Sequence, residues 1–441
     1  MKQTFGIFNP QNELVKNIPK ILLNKVLLPD SKNCLLKDGK VIRRKMREPD
    51  FLKAAVKVQT PDGNPIIHYH TFIKRSTGTQ YVLAFTKAHI YHWNSPDFDL
   101  KWTNHNINAI TIAFNDNGAN ADTITDSDSG FVDAGFIAGD KITVTGDSEN
   151  NGEYTIDTVI AGTITLIATD ELTTEIAGDD VTIVANCDNW ETKSYNDKII
   201  ATNGIDKVLV WDTTGLFVAL DDTTDGIEYD TATYLTKCKH LTTYENYLIL
   251  GYTYEDGKWY PQRMRWCAIG DETTWIPTGI VAAAGSTEVG KADFMIGFGK
   301  YRGYLIVFKA KSYFKYWLVG STYTFNGANI SMTIGAKCSG SIVNDNKGRL
   351  YWYASDGTIK EMSVGTISQP IQTEIIDKIY QSSVDLIKSK FIEETKETWW
   401  SIPYDNTLNN KVVTLKEDEQ GNRIWGQVDL AIPCFGDYCE A

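Results

Sequence analysis

Residues 241–276, LTTYENYLILGYTYEDGKWYPQRMRWCAIGDETTWI, decide how the chain is read. Residues 244–251 form an apolar, aromatic run, and 254–258 make a polar turn carrying Asp256-Gly257. Residues 263–268 alternate charge with bulk, and 269–275 turn again and end on Trp275. Short runs rich in aromatic and β-branched residues, separated by Gly and Asp turns, predict antiparallel strands in meander order. The stretch is therefore one unit of three or four strands in a repeated architecture. A large ring directly after a Gly-Asp turn can fasten an outer strand to the core, so Trp275 is expected to be buried.

Similar units recur along the chain. Residues 66–102 give strands at 66–74, 80–86 and 88–94, with turns at Thr77-Gly78 and Thr86-Lys87. Residues 190–220 carry an Asn203-Gly204 turn and a strand ending in Trp211-Asp212. Residues 294–325 turn at Arg302-Gly303 and at 309–311, and residues 341–368 turn at Lys347-Gly348 and Asp356-Gly357. The last unit, 389–428, contains Trp399-Trp400. Six units over about 300 residues leave roughly 50 for each, the size of a four-stranded blade. The expected fold is all-β: a β-propeller of six blades with a small inserted β-domain. The repeats are divergent enough to leave five or seven blades open. Between the last two units, Ile375, Ile376, Ile379 and Tyr380 fall near helical spacing and predict a helix over 372–386.

Four segments follow from this pattern: an N-terminal arm and closing strand (1–60), the first blade (61–106), an inserted β-domain (107–186) and the remaining blades (187–441). In the arm, Pro19 and Pro29 bracket an apolar stretch that reads as extended, and Asp38-Gly39 marks a hairpin turn followed by Arg43-Arg44. The inserted segment has no Trp and is dominated by Thr, Ile, Asp, Ala and Gly. It alternates at period two through 141–145, 153–159, 163–167 and 180–184. It is expected to fold as a unit of its own and to project from the blades.

Residues with chemical potential were weighed against bland roles. His68, His70, His89, His92 and His105 gather in one region. His68 and His70 share a strand face, whereas His89 and His92 differ in parity. They read either as a metal site or as hydrogen-bonded imidazoles. The acidic run 122–128 suggests calcium but fails the EF-hand template, leaving a solvated loop as the alternative. The seven cysteines form no C-x-x-C pair, and no His flanks Cys434 and Cys439. With no apolar signal segment at the N-terminus, reduced cytosolic thiols are expected. No metal or cofactor is expected. No apolar run reaches 18 residues, so no membrane span is expected.

Net charge is −13, from 43 Lys+Arg against 56 Asp+Glu, with no concentrated basic block. That excludes sequence-reading nucleic-acid binding, which needs a basic face, but not a surface past which nucleic acid slides. Ser95-Pro96-Asp97-Phe98-Asp99-Leu100-Lys101-Trp102 is close to the Asp box of sialidase-like propellers, with Asp99 at the Gly position. The box is a structural turn and does not establish hydrolysis. A sialidase also needs an arginine cluster, and the chain has nine Arg, of which only Arg43, Arg44 and Arg47 cluster along the sequence. No carboxylate pair is assignable to acid and base roles, and no G-x-S-x-G elbow is present.

Four segments in order resemble the β-propeller hub or nozzle proteins of short-tailed bacteriophages, also called packaged-DNA stabilisation proteins. They are Asn33, Asp38-Gly39 and Arg43-Arg44, with Lys45 where the family has Gly; Trp190 with Asn203-Gly204-Ile205-Asp206; Pro261, Arg263-Met264-Arg265-Trp266, Gly270-Asp271 and Trp275, with Cys267 in place of Ser; and Ile306-Val307-Phe308-Lys309, Ser312-Tyr313 and Gly335-Ala336. The insert is similar to small β-modules of phage tail proteins. The resemblance implies a non-enzymatic virion tail protein, assembled in the host cytoplasm. It would form a homo-oligomeric ring of six copies that meets adaptor and portal-side proteins and tail fibres or a needle. Double-stranded DNA would pass through its lumen without sequence-specific binding. On that reading Asp221, Asp222, Asp225, Glu228 and Asp230, the densest acidic cluster, are candidates for the channel lining. The competing readings are a receptor-binding or other structural tail protein and a glycan-hydrolysing propeller.

Overall fold

The computed structural model describes residues 34–37, 40–43, 60–94, 97–220, 226–277, 283–290, 292–320, 324–362, 377–393, 395–417, 421 and 423–435. The protein is all-β and of the β-propeller class, with six blade sheets and one inserted sheet. Each blade runs in chain order, every strand paired with the next. The first blade holds His68–Ile73, Gln80–Phe85, His89–Asn94 and Asp97–Thr103, and the second Glu191–Tyr195, Lys198–Thr202, Leu209–Trp211 and Val218–Ala219. The third has five strands, Ile227–Asp230, Thr233–Tyr244, Tyr247–Glu255, Lys258–Trp266 and Gly285–Glu288. The fourth runs from Met295–Tyr301 to Phe325–Ser331, the three-stranded fifth from Val343–Asn344 to Ile359–Met362, and the sixth from Lys388–Ile392 to Arg423–Val428.

Contacts divide the chain into two compact units. One comprises Thr60–Lys239 with Tyr254–Lys258, and the other His240–Thr253 with Trp259–Gly436. Inside the first, a seven-stranded antiparallel sheet spans Asn106–Ala109 to Val181–Asn186. Its strands bury alternate residues, as in Lys141–Thr145, where Ile142 and Val144 are inside and Lys141 and Thr145 outside. One face therefore builds a private core of Ile112, Phe114, Ile124, Phe131, Ile142, Val144, Ile164 and Ile183. The middle strands of the blades differ. Leu350–Tyr353 is buried at all four positions and Tyr247–Leu250 likewise, because both faces of such a strand are covered.

Turn chemistry sets the register. Asp256-Gly257 and Arg302-Gly303 have positive φ at both positions, the two-residue hairpin geometry that matches strand twist. Glu245-Asn246 and Asn196-Asp197 do the same without glycine. The Cys34–Lys37 and Lys40–Arg43 strands pair with Lys37 opposite Lys40, leaving a two-residue link. The expected Asp38-Gly39 turn itself and the rest of the arm, 1–33 and 44–59, lie outside the described residues. The helix expected over 372–386 is replaced, where the chain is described, by a 3-10 helix at Gln381–Leu386, and Ile379 forms an isolated bridge with Tyr404. Ile379 spends its side chain on the sixth-blade core beside Trp400, and that requires an extended backbone.

Indoles pin the blades. Trp190 Nε1 donates to Thr86 O at 2.9 Å, Trp352 Nε1 to Gly335 O at 3.2 Å and Trp400 Nε1 to Ser341 O at 3.2 Å. Trp275 is buried and donates to Glu272 O at 2.7 Å, closing the turn in which Asp271 accepts from the Thr273 amide and from the hydroxyls of Thr273 and Thr274. Trp275→Ala should lower stability by about 3–5 kcal/mol through the cavity it leaves. Thermal melting checks this, and an unchanged midpoint would show that the ring does not anchor the blade.

Candidate functional site

Of the five acidic residues nominated by sequence, Asp221, Asp222 and Asp225 lie outside the described residues. Glu228 and Asp230 sit on the strand Ile227–Asp230 and serve its turn. Glu228 Oε1 accepts from the Ala232 amide at 3.1 Å and Asp230 Oδ1 from the Thr231 amide at 2.7 Å.

The histidines do not converge. His68 and His70 both reach Thr192 Oγ1 on the second blade, at 2.7 and 2.9 Å, and His70 also reaches Ser194 Oγ at 2.9 Å. His89 faces Asp62 at 3.1 Å, and His92 lies 3.7 Å from Asp99. In the run 122–128, Asp122 accepts the amides of Asn117 and Leu172, and Asp126 accepts the Thr111 hydroxyl and the Gly130 amide. These carboxylates staple loops. Among the described residues the trio with ligand atoms within 4.8 Å is Asp147, Glu175 and Asp179, in the inserted sheet's loops. Asp147 there accepts the Glu149 and Asn150 amides, and Glu175 accepts the Ser148 hydroxyl. Five described cysteines keep their thiols outside any disulfide, and burial pushes the Cys338 thiol up to about 12, which keeps it a thiol at neutral pH.

The Asp-box stretch is a strand where it is described. Asn94 pairs with Asp97, and Asp97–Thr103 continues the ladder, while Ser95-Pro96 lie outside the described residues. Three other Asp-x-Thr turns do the capping: Asp212 to Thr214, Asp271 to Thr273 and Asp356 to Thr358, each through amide and hydroxyl.

A cavity of about 280 Å³ opens between the fifth and sixth blades, lined in part by Asp345, Lys347, Arg349, Phe391, Lys416 and Glu417. Its cations are mostly committed to carboxylates of this chain. Arg349 reaches Asp345 at 2.6 Å and Glu417 at 3.1 Å, Lys347 pairs with Glu417, and Arg423 pairs with Glu361. Burial pulls Glu417 up, but the Lys347 ammonium and the Arg349 guanidinium outweigh it and hold the acid below its ordinary range. The cleft is thus an ionic joint between blades, with Lys416 the lining cation that makes no ion pair among the described residues. No acid–base carboxylate pair free of such ion pairs lines it.

The segments that carry the family resemblance are joints as well. Ala336 N donates to Lys309 O at 2.9 Å, and a Cβ on Gly335 would fall 2.0 Å from that carbonyl, so only glycine lets the chain cross from fourth to fifth blade there. Buried Lys309 sends Nζ to Val289 O at 2.6 Å. Trp266 donates to Ala283 O at 3.2 Å and stacks edge-on with Phe325 at 5.0 Å. In the Asn203-Gly204-Ile205-Asp206 turn, Asn203 Oδ1 accepts the Ile205 and Asp206 amides, both at 2.9 Å.

No family model and no curated protein matches the chain. Among solved structures it is similar to the phage phi92 endosialidase at 14% identity, over 71% of this chain and 55% of that one, with a TM-score of 0.25. The chain spans about half the length of that protein. It is similar to apo AztD from Citrobacter koseri at 12% identity, over 85% and 89% of the two chains, with a TM-score of 0.28. The computationally designed Ika8 protein matches at 11% identity, over 82% and 96%, with a TM-score of 0.29. Likenesses this distant say nothing about activity.

The ionic joint makes a pH prediction. Glu417 has a depressed pKa, so its contribution to stability is present above the ordinary carboxylate range and fades as pH falls through its folded value. Arg349→Met should lower the melting temperature at pH 7, and the gap to the parent should shrink as pH falls below about 4. A gap independent of pH would show that Arg349 acts by packing rather than by charge.

Proposed function

We propose that this chain is a virion structural protein of a phage tail, a ring-forming hub or nozzle of six copies that retains the packaged genome and conducts DNA during ejection. The observation that supports this most is where the resemblance falls. Lys309, Gly335-Ala336 and Trp266 take part in bonds or close approaches that join strands to the linkers between them, and Asn203–Asp206 closes a turn. A likeness concentrated in joints is a likeness of scaffold, and it fits a protein whose work is mechanical. The role is structural and not enzymatic.

Electrostatics is compatible with that work. A duplex carries one phosphate charge per about 1.7 Å, so a basic bore would hold it and stall its passage, whereas an acidic one repels it toward the axis. With a Debye length of about 8 Å in physiological salt, such a field acts only across a narrow tube. The net charge of −13 suits this lining. Adaptor and portal-side proteins would hold one end of the ring and fibres or a needle the other. Among the described residues no helix is long and apolar enough to cross a membrane.

Arginine placement argues against the glycan-hydrolysing alternative. Arg263, Arg349 and Arg423 each spend their charge on a carboxylate of this chain. Mass photometry of the purified protein is the test. A closed ring should give particles of about six times the 49.4 kDa chain. A species that stays monomeric at every concentration, or turnover of a sialic-acid polymer, would overturn the reading.

A further inference from the structure

Four parts of one compact unit meet at His105. The residue stands at the neck that leads into the inserted sheet, immediately before the strand Asn106–Ala109. Its Nε2 lies 3.1 Å from Asp140 Oδ2, in the loop before the inserted strand Lys141–Thr145. Its Nδ1 lies 3.2 Å from Asp206 Oδ1, in the Asn203–Asp206 turn of the second blade. Phe136, also in the inserted domain, presents its ring edge-on to the imidazole at 5.0 Å. The side chains of His105, Asp140 and Asp206 are exposed by only 10%, 6% and 6%.

We propose that His105 is a proton-operated latch, fastening the inserted domain to the second blade while charged and loosening it when neutral. Only the doubly protonated imidazole has two N–H donors, and two carboxylates are waiting for them. A neutral ring has one donor, so one carboxylate must then face a nitrogen lone pair at about 3 Å in a place that water barely reaches. The other groups around the ring sharpen this. Asp140 accepts the Ile137 amide at 3.0 Å, and Asp206 accepts the His105 amide at 2.9 Å and the Asn203 side-chain amide at 2.7 Å, so both carboxylates are held in place. Lys237, from the third sheet, also acts on Asp140 and Asp206. Loss of the proton from His105 removes one positive charge from between two buried carboxylates.

The direction of titration agrees with the geometry. Burial pulls the His105 pKa down, but the hydrogen bonds and charges of Asp140 and Asp206 outweigh it and raise the value above that of a free imidazole. A raised pKa means that the latch is fully closed below about pH 6.5, the free value, and opens as pH climbs through the folded value. The backbone bond from His105 to Asp206 does not titrate, nor do those from Asn104 Nδ2 to Lys87 O and Ala185 O. The neck therefore stays attached, as do the Lys87–Glu153 ion pair and the packing of Ile205 on the inserted core, and the contact that loosens is the one through Asp140. The Asn203-Gly204-Ile205-Asp206 motif thereby acquires a task beyond making a turn: it presents the blade-side carboxylate of the latch.

Amide hydrogen exchange of the full chain between pH 6 and 10, corrected for intrinsic rates, tests this. In the parent, protection of Lys141–Thr145 should fall by about tenfold per pH unit between the free imidazole value, about 6.5, and the raised folded value of His105, and level off above it, as expected for one linked proton. Protection of Lys198–Thr202 in the second blade should stay level. His105→Gln should show weak protection of the inserted strand with no pH step. Asp140→Asn, which keeps shape and removes one acceptor charge, should move the step to lower pH. The proposal is overturned by an unchanged step in both variants, by a parent without any step, or by equal loss of protection in the inserted strand and the second blade.

Discussion

A tryptophan N–H that reaches out of its own sheet to a backbone carbonyl is the interaction on which the blades depend. Trp190, Trp352 and Trp400 each do this, at 2.9, 3.2 and 3.2 Å. Each ring also packs against an aromatic of the preceding blade: Phe85 at 5.3 Å, Phe308 at 5.1 Å and Tyr351 at 6.0 Å. Sheet faces packed by hydrophobic burial alone could slide, because that force has no direction. A buried N–H that must find an oxygen fixes both position and angle, since leaving it unpaired costs roughly 1–3 kcal/mol. Three of the chain's twelve tryptophans are spent on this geometry.

The second constraint is ionic. Where the fifth and sixth blades meet, Arg349 with Glu417 and Arg423 with Glu361 act beside the Trp400 indole. Such pairs contribute less to net stability than to register, because desolvation offsets much of their attraction. The inserted domain adds a third kind of joint, with an imidazole between two carboxylates. Apolar, ionic and titratable contacts thus divide the work of holding separate sheets, and only the last responds to mild changes in pH.

Much of the fold was legible because strand alternation and turn chemistry are local. The strand at 141–145 has the same bounds in sequence and structure, and Asp256-Gly257 and Arg302-Gly303 turn where glycine permits positive φ. Glu245-Asn246 and Asn196-Asp197 carry no glycine and left no comparable signal. The twelve-residue strand Thr233–Tyr244 is heavy in Thr and Lys, and its polar face hid it. The isoleucines near 379 imitate helical spacing, but Ile379 is placed by a long-range bridge to Tyr404 that no window shows. Sites were harder to see. His105 was visible as a histidine, yet its partners lie 35 and 101 residues away, and only the fold brings them to it. Glu228 and Asp230 looked like part of an acidic surface, and they spend oxygens on their own hairpin.

Indole N–H groups, and not ring bulk alone, hold the blades together. The most direct measurement is urea denaturation of Trp190→Phe, Trp352→Phe and Trp400→Phe, which keep an aromatic ring and remove the donor. Trp190→Phe and Trp400→Phe should each lose about 1–3 kcal/mol with an unchanged denaturant slope, because a buried carbonyl loses its indole partner while the fold persists, and Trp352→Phe about 0.5–1.5 kcal/mol, because Gly335 O keeps the Ser355 amide. Parent-like stability in all three would contradict the claim and leave the blades held by apolar packing.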